Sequence, residues 1–280
     1  MKDFLLEVAF TIAGIGAASG LVFKNDRLYL ISDTSNYLYQ YSITSQRLYK
    51  TLLTDSAPPH EQLSKDTKSD FEAIFSDEDR LVILGSGSDT GSVRNQQFSI
   101  PIHAKKYRIK ELDMRPLYQH LQKKYQIGTD NFNIEGALRY KNQLLLFNRG
   151  NGLLGFNGIF RLTPGLDTIF IPVPLPALND TPAGFSDAVR VRDTIYFTAV
   201  AESQPSVYHD GTIKGTYLGI MHLPEFEVEQ LIVLSDTSKF EGITLFSEDS
   251  QSVHFLLCED RDSHSQESVI YHLKIKKIQH

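Results

Sequence analysis

Five short segments of this sequence can be superimposed on one another, and their spacing constrains the fold more than any other feature. Each has an apolar or small residue, then Ser or Glu, then a small residue or Asp, then an apolar residue. The segments are Ala18-Ser19-Gly20-Leu21, Phe71-Glu72-Ala73-Ile74, Ile134-Glu135-Gly136-Ala137, Phe185-Ser186-Asp187-Ala188 and Phe240-Glu241-Gly242-Ile243. Their second residues stand at 19, 72, 135, 186 and 241, at intervals of 53, 63, 51 and 55 residues. Five units of this length account for nearly all of the 280 residues.

Each unit continues with short runs of aromatic and β-branched residues between turns rich in Ser, Asp, Asn and Gly. Examples are Leu28-Tyr29-Leu30-Ile31 in the first unit and Val253-His254-Phe255-Leu256 in the fifth. Runs of this kind are typical of β-strands. Four strands per unit, with a period in the fifties, are typical of propeller blades. We therefore predict an all-β fold, a five-bladed β-propeller with four-stranded blades.

The fifth unit contains three strand-like runs, and the apolar run at residues 4–10 supplies a fourth. Pairing this N-terminal run with the last blade closes the ring and removes two exposed strand edges. We predict one propeller domain over residues 1–280. Its blades are expected at about residues 19–55, 70–114, 132–175, 184–234 and 239–280, the last completed by strand 4–10.

Deviations from the period indicate insertions. Residues 115–127 place Leu117, Leu121 and Tyr125 four apart, which predicts one short amphipathic helix between blades 2 and 3. Residues 57–69 are polar and contain Pro, so we expect a surface loop there, and another loop at residues 202–215.

Composition excludes several classes of protein. The net charge is −6 and no basic stripe is visible, so we expect no nucleic-acid partner. A single cysteine, Cys258, excludes internal disulfides and cysteine-based zinc sites. The absence of Trp argues against repeats of the WD type.

The N-terminus lacks the pattern of a signal peptide or a membrane span, because Asp3 and Glu7 interrupt its apolar residues. We therefore expect no membrane association, a cytoplasmic location and a monomer. A periplasmic or secreted location would follow if the sequence is a trimmed form of an exported protein.

The second residues of the five segments carry the chemistry. In a propeller the first strand of every blade lines the central channel, so Ser19, Glu72, Glu135, Ser186 and Glu241 are predicted to form a ring. Three carboxylates converging on one axis repel one another, so either their pKa values rise or a cation neutralises them. Oxygen ligands without His or Cys suit Ca²⁺, which accepts six to eight oxygens in irregular geometry. We name these ring residues as a predicted Ca²⁺ site.

Two alternatives stay open for this ring. Acidic residues at a repeated position can cap inner-strand amides around a water-filled channel, without an ion. Asp187, next to Ser186, could supply the charge that Ser186 lacks.

The order Ser, Glu, Glu, Ser, Glu over five blades resembles the central calcium site of the calcium-activated nucleotidases, the apyrase-type five-bladed propellers. Residues 19–29, Gly184-Phe185-Ser186 and Phe240-Glu241-Gly242-Ile243 carry further local similarity. The Glu-Gly element is also similar, more loosely, to bacterial phytase-like and lactonase-like propeller proteins. The resemblance implies the fold and a metal ion. It also implies that Arg149 occupies a basic position and Asp33 an acidic position of the nucleotidase site.

The sequence departs from the nucleotidases at two positions. Thr34 stands where they carry Arg, and residues 199–201 lack their Lys. Asp33, Arg149 and Glu202 are our catalytic candidates, since a phosphoanhydride hydrolase needs cations around the phosphates and a carboxylate for the attacking water. These residues could equally be loop-capping acids and a structural ion pair.

Two function classes remain. One is a propeller without catalysis, whose ion is structural or supports binding of a small molecule at the channel mouth. The other is a calcium-dependent hydrolase of a small phosphorylated, ester or lactone substrate.

Overall fold

The structure, a computed structural model, describes residues 4–54, 61–64, 67–89, 93–102, 108–150, 155–165, 167–203, 211–261 and 266–277. Its strands form five four-stranded antiparallel sheets. Blade 1 contains β2 (Gly20–Lys24), β3 (Arg27–Ile31), β4 (Tyr37–Ser42) and β5 (Arg47–Leu52). Blade 2 contains β6 (Phe71–Asp77), β7 (Arg80–Gly85), β8 (Gln96–Pro101) and β9 (Lys110–Asp113). Blade 3 contains β10 (Ile134–Tyr140), β11 (Gln143–Asn148), β12 (Gly158–Leu162) and β13 (Thr168–Pro172).

The last two blades have longer strands. Blade 4 contains β14 (Ala183–Val191), β15 (Thr194–Ser203), β16 (Thr212–His222) and β17 (Glu227–Ser235). Blade 5 contains β18 (Lys239–Glu248), β19 (Ser252–Asp260), β20 (Glu267–Lys276) and, at its outer edge, β1 (Phe4–Ala13). Strand β1 pairs with β20 from Phe4↔Ile275 to Ala13↔Glu267. The innermost strands contact one another in the cyclic order β2, β6, β10, β14, β18 and back to β2. The predicted five-bladed ring, closed by the N-terminal strand, is confirmed.

The core lies between the blades rather than at the centre of the ring. Five apolar clusters fill the five spaces between neighbouring blades. The residue before each predicted ring residue is fully buried in these layers: Ala18, Phe71, Ile134, Phe185 and Phe240. Because side chains alternate along a strand, burying these residues turns their neighbours away from the layers.

Close packing at the ring explains the small residue that follows the ring position in blades 1, 2, 3 and 5. A Cβ added at Gly242 would lie 2.6 Å from Leu21 Cδ2 and 3.1 Å from the Gly20 backbone of the next blade. A larger side chain there would force the inner strands of blades 5 and 1 apart.

The predicted helix is α1 (Arg115–Tyr125), with Pro in its first turn. Its Tyr118 and Leu121 are buried between blades 2 and 3, and the Tyr118 hydroxyl donates to the Gly85 carbonyl oxygen at 3.1 Å. A 3₁₀ turn, Thr129–Asn131, follows it.

Both expected loops differ from the prediction. Of the expected surface loop at 57–69, residues 57–60 and 65–66 lie outside the described residues. The end of this segment is not at the surface, since Ser69 is fully buried and the Lys68 side chain is 14% exposed. Of the expected loop at 202–215, residues 204–210 lie outside the described residues, and its two ends belong to strands, since β15 continues to Ser203 and β16 begins at Thr212.

Candidate functional site

Four of the five predicted ring residues lie at the same irregularity of the inner strand. In blade 2, Phe71 pairs with Gly85 and Ala73 pairs with Leu84, which leaves Glu72 as the extra residue of a β-bulge. The same interruption falls at Glu135, Ser186 and Glu241. A bulge redirects the side chain of the extra residue and occurs often beside functional sites. In blade 1 the equivalent Ser19 directly precedes β2.

The two ring serines connect neighbouring blades. Ser19 Oγ donates to the Phe71 carbonyl oxygen at 2.5 Å, and Ser186 Oγ donates to the Phe240 carbonyl oxygen at 2.8 Å. Each acceptor immediately precedes the ring glutamate of the next blade. The serine hydroxyl hydrogens therefore join blade 1 to blade 2 and blade 4 to blade 5. Their role as metal ligands stays a prediction.

The three ring glutamates influence one another electrostatically. Burial raises the pKa of Glu72 well above its usual range, and the charges of Glu135 and Asp70 raise it further. Burial also raises the pKa of Glu241 well above its usual range, although Lys239 opposes the shift. The site therefore carries more negative charge than its own cations neutralise. This is the condition under which the sequence predicted either proton uptake or a bound cation.

Arg149 and Glu202, two of the catalytic candidates, lie together beside the ring. Arg149 Nη2 is 3.2 Å from Glu202 Oε2, and Arg149 Nη1 is 3.4 Å from Glu135 Oε1. Glu202 Oε1 also accepts the Gly211 N–H at 2.9 Å, and Asn133 Nδ2 donates to Glu135 Oε1 at 2.6 Å. The guanidinium thus links the ring carboxylate of blade 3 to a carboxylate of blade 4.

Asp33, the third catalytic candidate, belongs to a different group. Lys68 Nζ lies 2.6 Å from Asp33 Oδ2 and 2.7 Å from Asp70 Oδ1. One ligand oxygen each of Asp33, Asp70 and Glu72 lies within 4.8 Å of the others, the arrangement of an acidic metal-binding triad. Among the described residues, no hydrogen bond or ion pair joins Asp33 to Arg149 or Glu202. The structure therefore divides the catalytic candidates between two sides of the mouth.

Three cations of the mouth escaped the sequence analysis: Lys68, Arg94 and Lys239. Lys239 Nζ is 2.8 Å from Glu241 Oε1 and 3.0 Å from Asp260 Oδ2, and Arg94 Nη1 is 3.2 Å from Asp70 Oδ2. The sequence could have revealed Lys239. It stands two residues before a ring glutamate, and because the side chains of a strand alternate, residues two apart lie on the same side of the strand. Asp70 and Asn133 occupy the same position in blades 2 and 3. Lys68 and Arg94 had no such signal because neither stands two residues before a ring position.

Asp187 accepts hydrogen bonds from the backbone of its own blade and of the neighbouring blade. Its Oδ1 accepts the Ala188 N–H at 2.7 Å, and its Oδ2 accepts the Ile243 N–H of blade 5 at 2.8 Å. Burial raises the pKa of this carboxyl well above its usual range. Both of its oxygens are therefore occupied by backbone donors, one of them from the neighbouring blade.

A cavity of about 530 Å³ opens beside Arg149 and Glu202, between blades 3 and 4. Asn157, Asp180 and Thr181 contribute polar groups to its wall, and Leu175, Pro182 and Val200 contribute apolar groups. A volume of this size admits a small organic molecule.

Comparisons with solved structures support the propeller fold. The Malassezia sympodialis allergen Mala s 1 is 12% identical, with a TM-score of 0.59 and coverage of 100% of this chain and 99% of that chain. Myxococcus xanthus glutaminyl cyclase is 10% identical, with a TM-score of 0.55 and coverage of 98% and 97%. Cellvibrio cellulosa α-L-arabinanase is 12% identical, with a TM-score of 0.53 and coverage of 92% and 91%. At such identities the likeness concerns the fold alone.

Two further observations complete the comparison. No curated protein matches this sequence. In the part of the chain that the structure describes, no helix is both long and apolar enough to span a membrane. The nucleotidase family is not confirmed by these matches. A different family profile, described as "Family of unknown function (DUF6929)", matches residues 14–275, and the chain therefore belongs to that family.

Proposed function

We propose that this propeller binds Ca²⁺ at the channel mouth and a small polar molecule in the adjoining cavity. The observation that carries the proposal is the crowding of carboxylates at Glu72, since one oxygen each of Asp33, Asp70 and Glu72 lies within 4.8 Å of the others. Among the described residues no cation or hydrogen-bond donor contacts its carboxylate, while Asp33, Asp70, Glu135 and Glu241 all raise its pKa. A divalent cation beside Glu72 would remove this repulsion.

Calcium fits this donor set better than a transition metal. Every candidate ligand is a carboxylate or hydroxyl oxygen, which suits hard cations. Asp33 and Asp70 already share the Lys68 ammonium group, so we expect the ring glutamates to provide most of the ligand charge. Ser19 and Ser186 hold the blades that carry Glu72 and Glu241 in position through their carbonyl contacts.

The cavity between blades 3 and 4 supports the second half of the proposal. Arg149 lies between the cavity and the ring, because it lines the one and is 3.4 Å from Glu135 in the other. A ligand in the cavity would therefore meet a guanidinium whose second partner is the ring. This arrangement allows ion binding to position Arg149 for the ligand.

Hydrolysis of a small phosphorylated, ester or lactone substrate is the second candidate. Its support is the position of Arg149 and Glu202 beside the ring. The binding function is favoured because the four cations that the described residues place at the mouth are all engaged with carboxylates: Lys68, Arg94, Arg149 and Lys239. A phosphate would have to displace those carboxylates to be bound.

Calcium titration with and without a chelator tests the proposal. Removal of metal by EGTA should lower the melting temperature, and Ca²⁺ should restore it more strongly than Mg²⁺. Ligand binding stabilises a folded state by about 2.7 kcal/mol when the ligand is at 100 times its Kd, which is easily measured. Glu72→Gln should weaken the response, whereas Glu78→Gln, on the exposed turn of the same blade, should leave it unchanged.

An unchanged melting temperature after verified removal of all metal, together with no calcium heat by calorimetry, would overturn the ion site. The enzymatic candidate has its own test. Nucleoside di- and triphosphates, phosphate esters and lactones are screened with Ca²⁺, alongside Arg149→Ala and Asp33→Asn. Turnover that both substitutions abolish would establish the hydrolase, and absence of turnover with calcium bound would favour the binding function.

A further inference from the structure

Four side chains form a line across blade 5, away from the ring residues. Asp249 Oδ2 lies 3.3 Å from His254 Nε2, His254 Nδ1 lies 3.0 Å from His272 Nε2, and His272 Nδ1 lies 3.3 Å from Glu7 Oε1. We call these four residues the histidine clasp. They belong to the β18–β19 turn, β19, β20 and β1, so the clasp connects the closing strand to the rest of the blade.

The two imidazole rings lie end to end. Their planes differ by 16° and their centroids are 5.2 Å apart, while the facing nitrogens are 3.0 Å apart. The centroid distance exceeds the nitrogen distance by about two ring radii, so the rings are nearly coplanar and in line. The lone-pair direction of each facing nitrogen therefore points at the other ring.

The three contacts of the clasp require three ring hydrogens on two imidazoles, one more than two neutral rings carry. Ionised carboxylates only accept hydrogen bonds, so His254 Nε2 and His272 Nδ1 must each carry a hydrogen. A neutral imidazole has one hydrogen, and two neutral rings would direct two bare lone pairs at each other across 3.0 Å. Two imidazolium rings would instead bring two N–H groups together. One added proton, shared as N–H···N, satisfies all three contacts.

We propose that His254 and His272 together bind one proton, and that this proton fastens β1 to blade 5 and so helps to close the propeller ring. The inference is independent of the channel-mouth proposal. In the described structure, β1 is held in its sheet by pairing with β20 alone, and Glu7 is the cross-strand partner of His272. The clasp adds a side-chain connection from β1 through β20 to β19.

The charged neighbours favour one proton and oppose a second. Glu7 of β1 and Asp249 of the turn supply two negative charges, which attract the first proton. Hydrogen bonds from the backbone of Gln251 and Ser252 lower the pKa of Asp249 and keep it an acceptor. Lys274 and Lys276 lie on the same face of β20 as His272, because they follow it two and four residues along the strand. Their positive charges oppose a second proton on the histidine pair. Phe246 of β18 packs its ring against His272 and carries no charge.

Nitrogen NMR of the full chain tests the proton count. We expect the pair to bind one proton throughout the range from about pH 5 to pH 8, in which ordinary histidines change charge. The combined change in its ¹⁵N shifts should be less than half of that expected for two independent rings. His222, which pairs with the Glu229 carboxylate in blade 4, is the internal reference. Full titration of both wild-type rings, in parallel with His222, would overturn the proposal.

Stability measurements test the fastening of β1. The difference in melting temperature between the wild type and His272→Gln should be largest near the ordinary pKa of an unfolded histidine, about 6.5. It should be smaller at higher and at lower pH. The matched control His222→Gln should show no such maximum. A pH-independent difference between wild type and His272→Gln would contradict a shared proton. One equivalent of Zn²⁺ should leave the imidazole signals unchanged, whereas a shift of both rings that a chelator reverses would identify a metal site instead.

Discussion

Lys239 places its ammonium nitrogen 2.8 Å from Glu241 Oε1, two residues further along the same inner strand. The equivalent position in blade 3 is Asn133, which donates to Glu135, and in blade 2 it is Asp70. Each ring glutamate therefore has a different neighbour: a cation, a neutral donor and an anion. The negative charge of the mouth is least compensated at Glu72, and we expect the ion on that side of the ring.

The first prediction concerns Lys68, which lies between Asp33 and Asp70. Burial opposes its charged form, but the two carboxylates outweigh burial and raise the pKa of the ammonium group. Lys68→Met should destabilise the protein by roughly 1 to 3 kcal/mol, because Asp33 loses its ammonium partner and Asp70 keeps Arg94 as its cation. Added Ca²⁺ should recover more stability in this variant than in the wild type. Urea unfolding measures both, with Lys123→Met on the exposed face of α1 as the control.

The second prediction is a pH dependence of the metal-free protein. Burial raises the pKa of Glu72 and Glu241 above the value of about 4.3 for an unfolded chain. Between that value and the folded-state pKa the folded chain binds more protons, so its stability should fall as the pH rises through this window. Calcium favours the ionised carboxylates and should flatten the slope. Melting curves in EGTA and in Ca²⁺ measure this, and a slope identical in Glu72→Gln and wild type would contradict the assignment.

The third prediction separates two roles of the ring serines. Ser186→Ala removes the donor to the Phe240 carbonyl, and a lost hydrogen bond of this kind costs about 1 kcal/mol, with more if the carbonyl stays unsatisfied. We expect this loss of stability without a change in the thermal shift that Ca²⁺ produces. A reduced calcium shift would show instead that the hydroxyl is a ligand. Ser19→Ala should behave in the same way.

The fourth prediction concerns Asp187. Asp187→Asn keeps the shape but replaces one acceptor oxygen by an amide group that cannot accept the Ile243 or Ala188 N–H. Leaving a buried donor unsatisfied costs about 1 to 3 kcal/mol, which denaturant unfolding detects. Asp193→Asn, on an exposed turn of the same blade, is the matched control. Equal stability of the two variants would show that Asp187 does not hold blade 4 to blade 5.

Much of the fold follows from local pattern. The repeated segments and the strand-like runs between turns predicted five blades, because most blade strands pair with sequence neighbours. The closure was predicted for a different reason: the fifth unit lacks a fourth strand, and the apolar run at residues 4–10 supplies one. The same pattern placed Glu72, Glu135, Ser186 and Glu241 at equivalent positions, which the structure shows as one shared β-bulge. A repeat specifies such positions because every blade repeats the same backbone path.

Which cations pair with the carboxylates beside the ring was visible only in the tertiary structure. Lys68 comes from the segment that precedes blade 2 and Arg94 from the connection between β7 and β8, and both side chains reach Asp70. The histidine clasp likewise needs the pairing of β1 with β20, which brings Glu7 beside His272 across 265 residues of sequence. Sequence periodicity thus determined which residues share a ring. The positions of the chain ends and loops in the folded structure determined which charges are paired. Ion pairs depend on distance in space and not on position in a repeat.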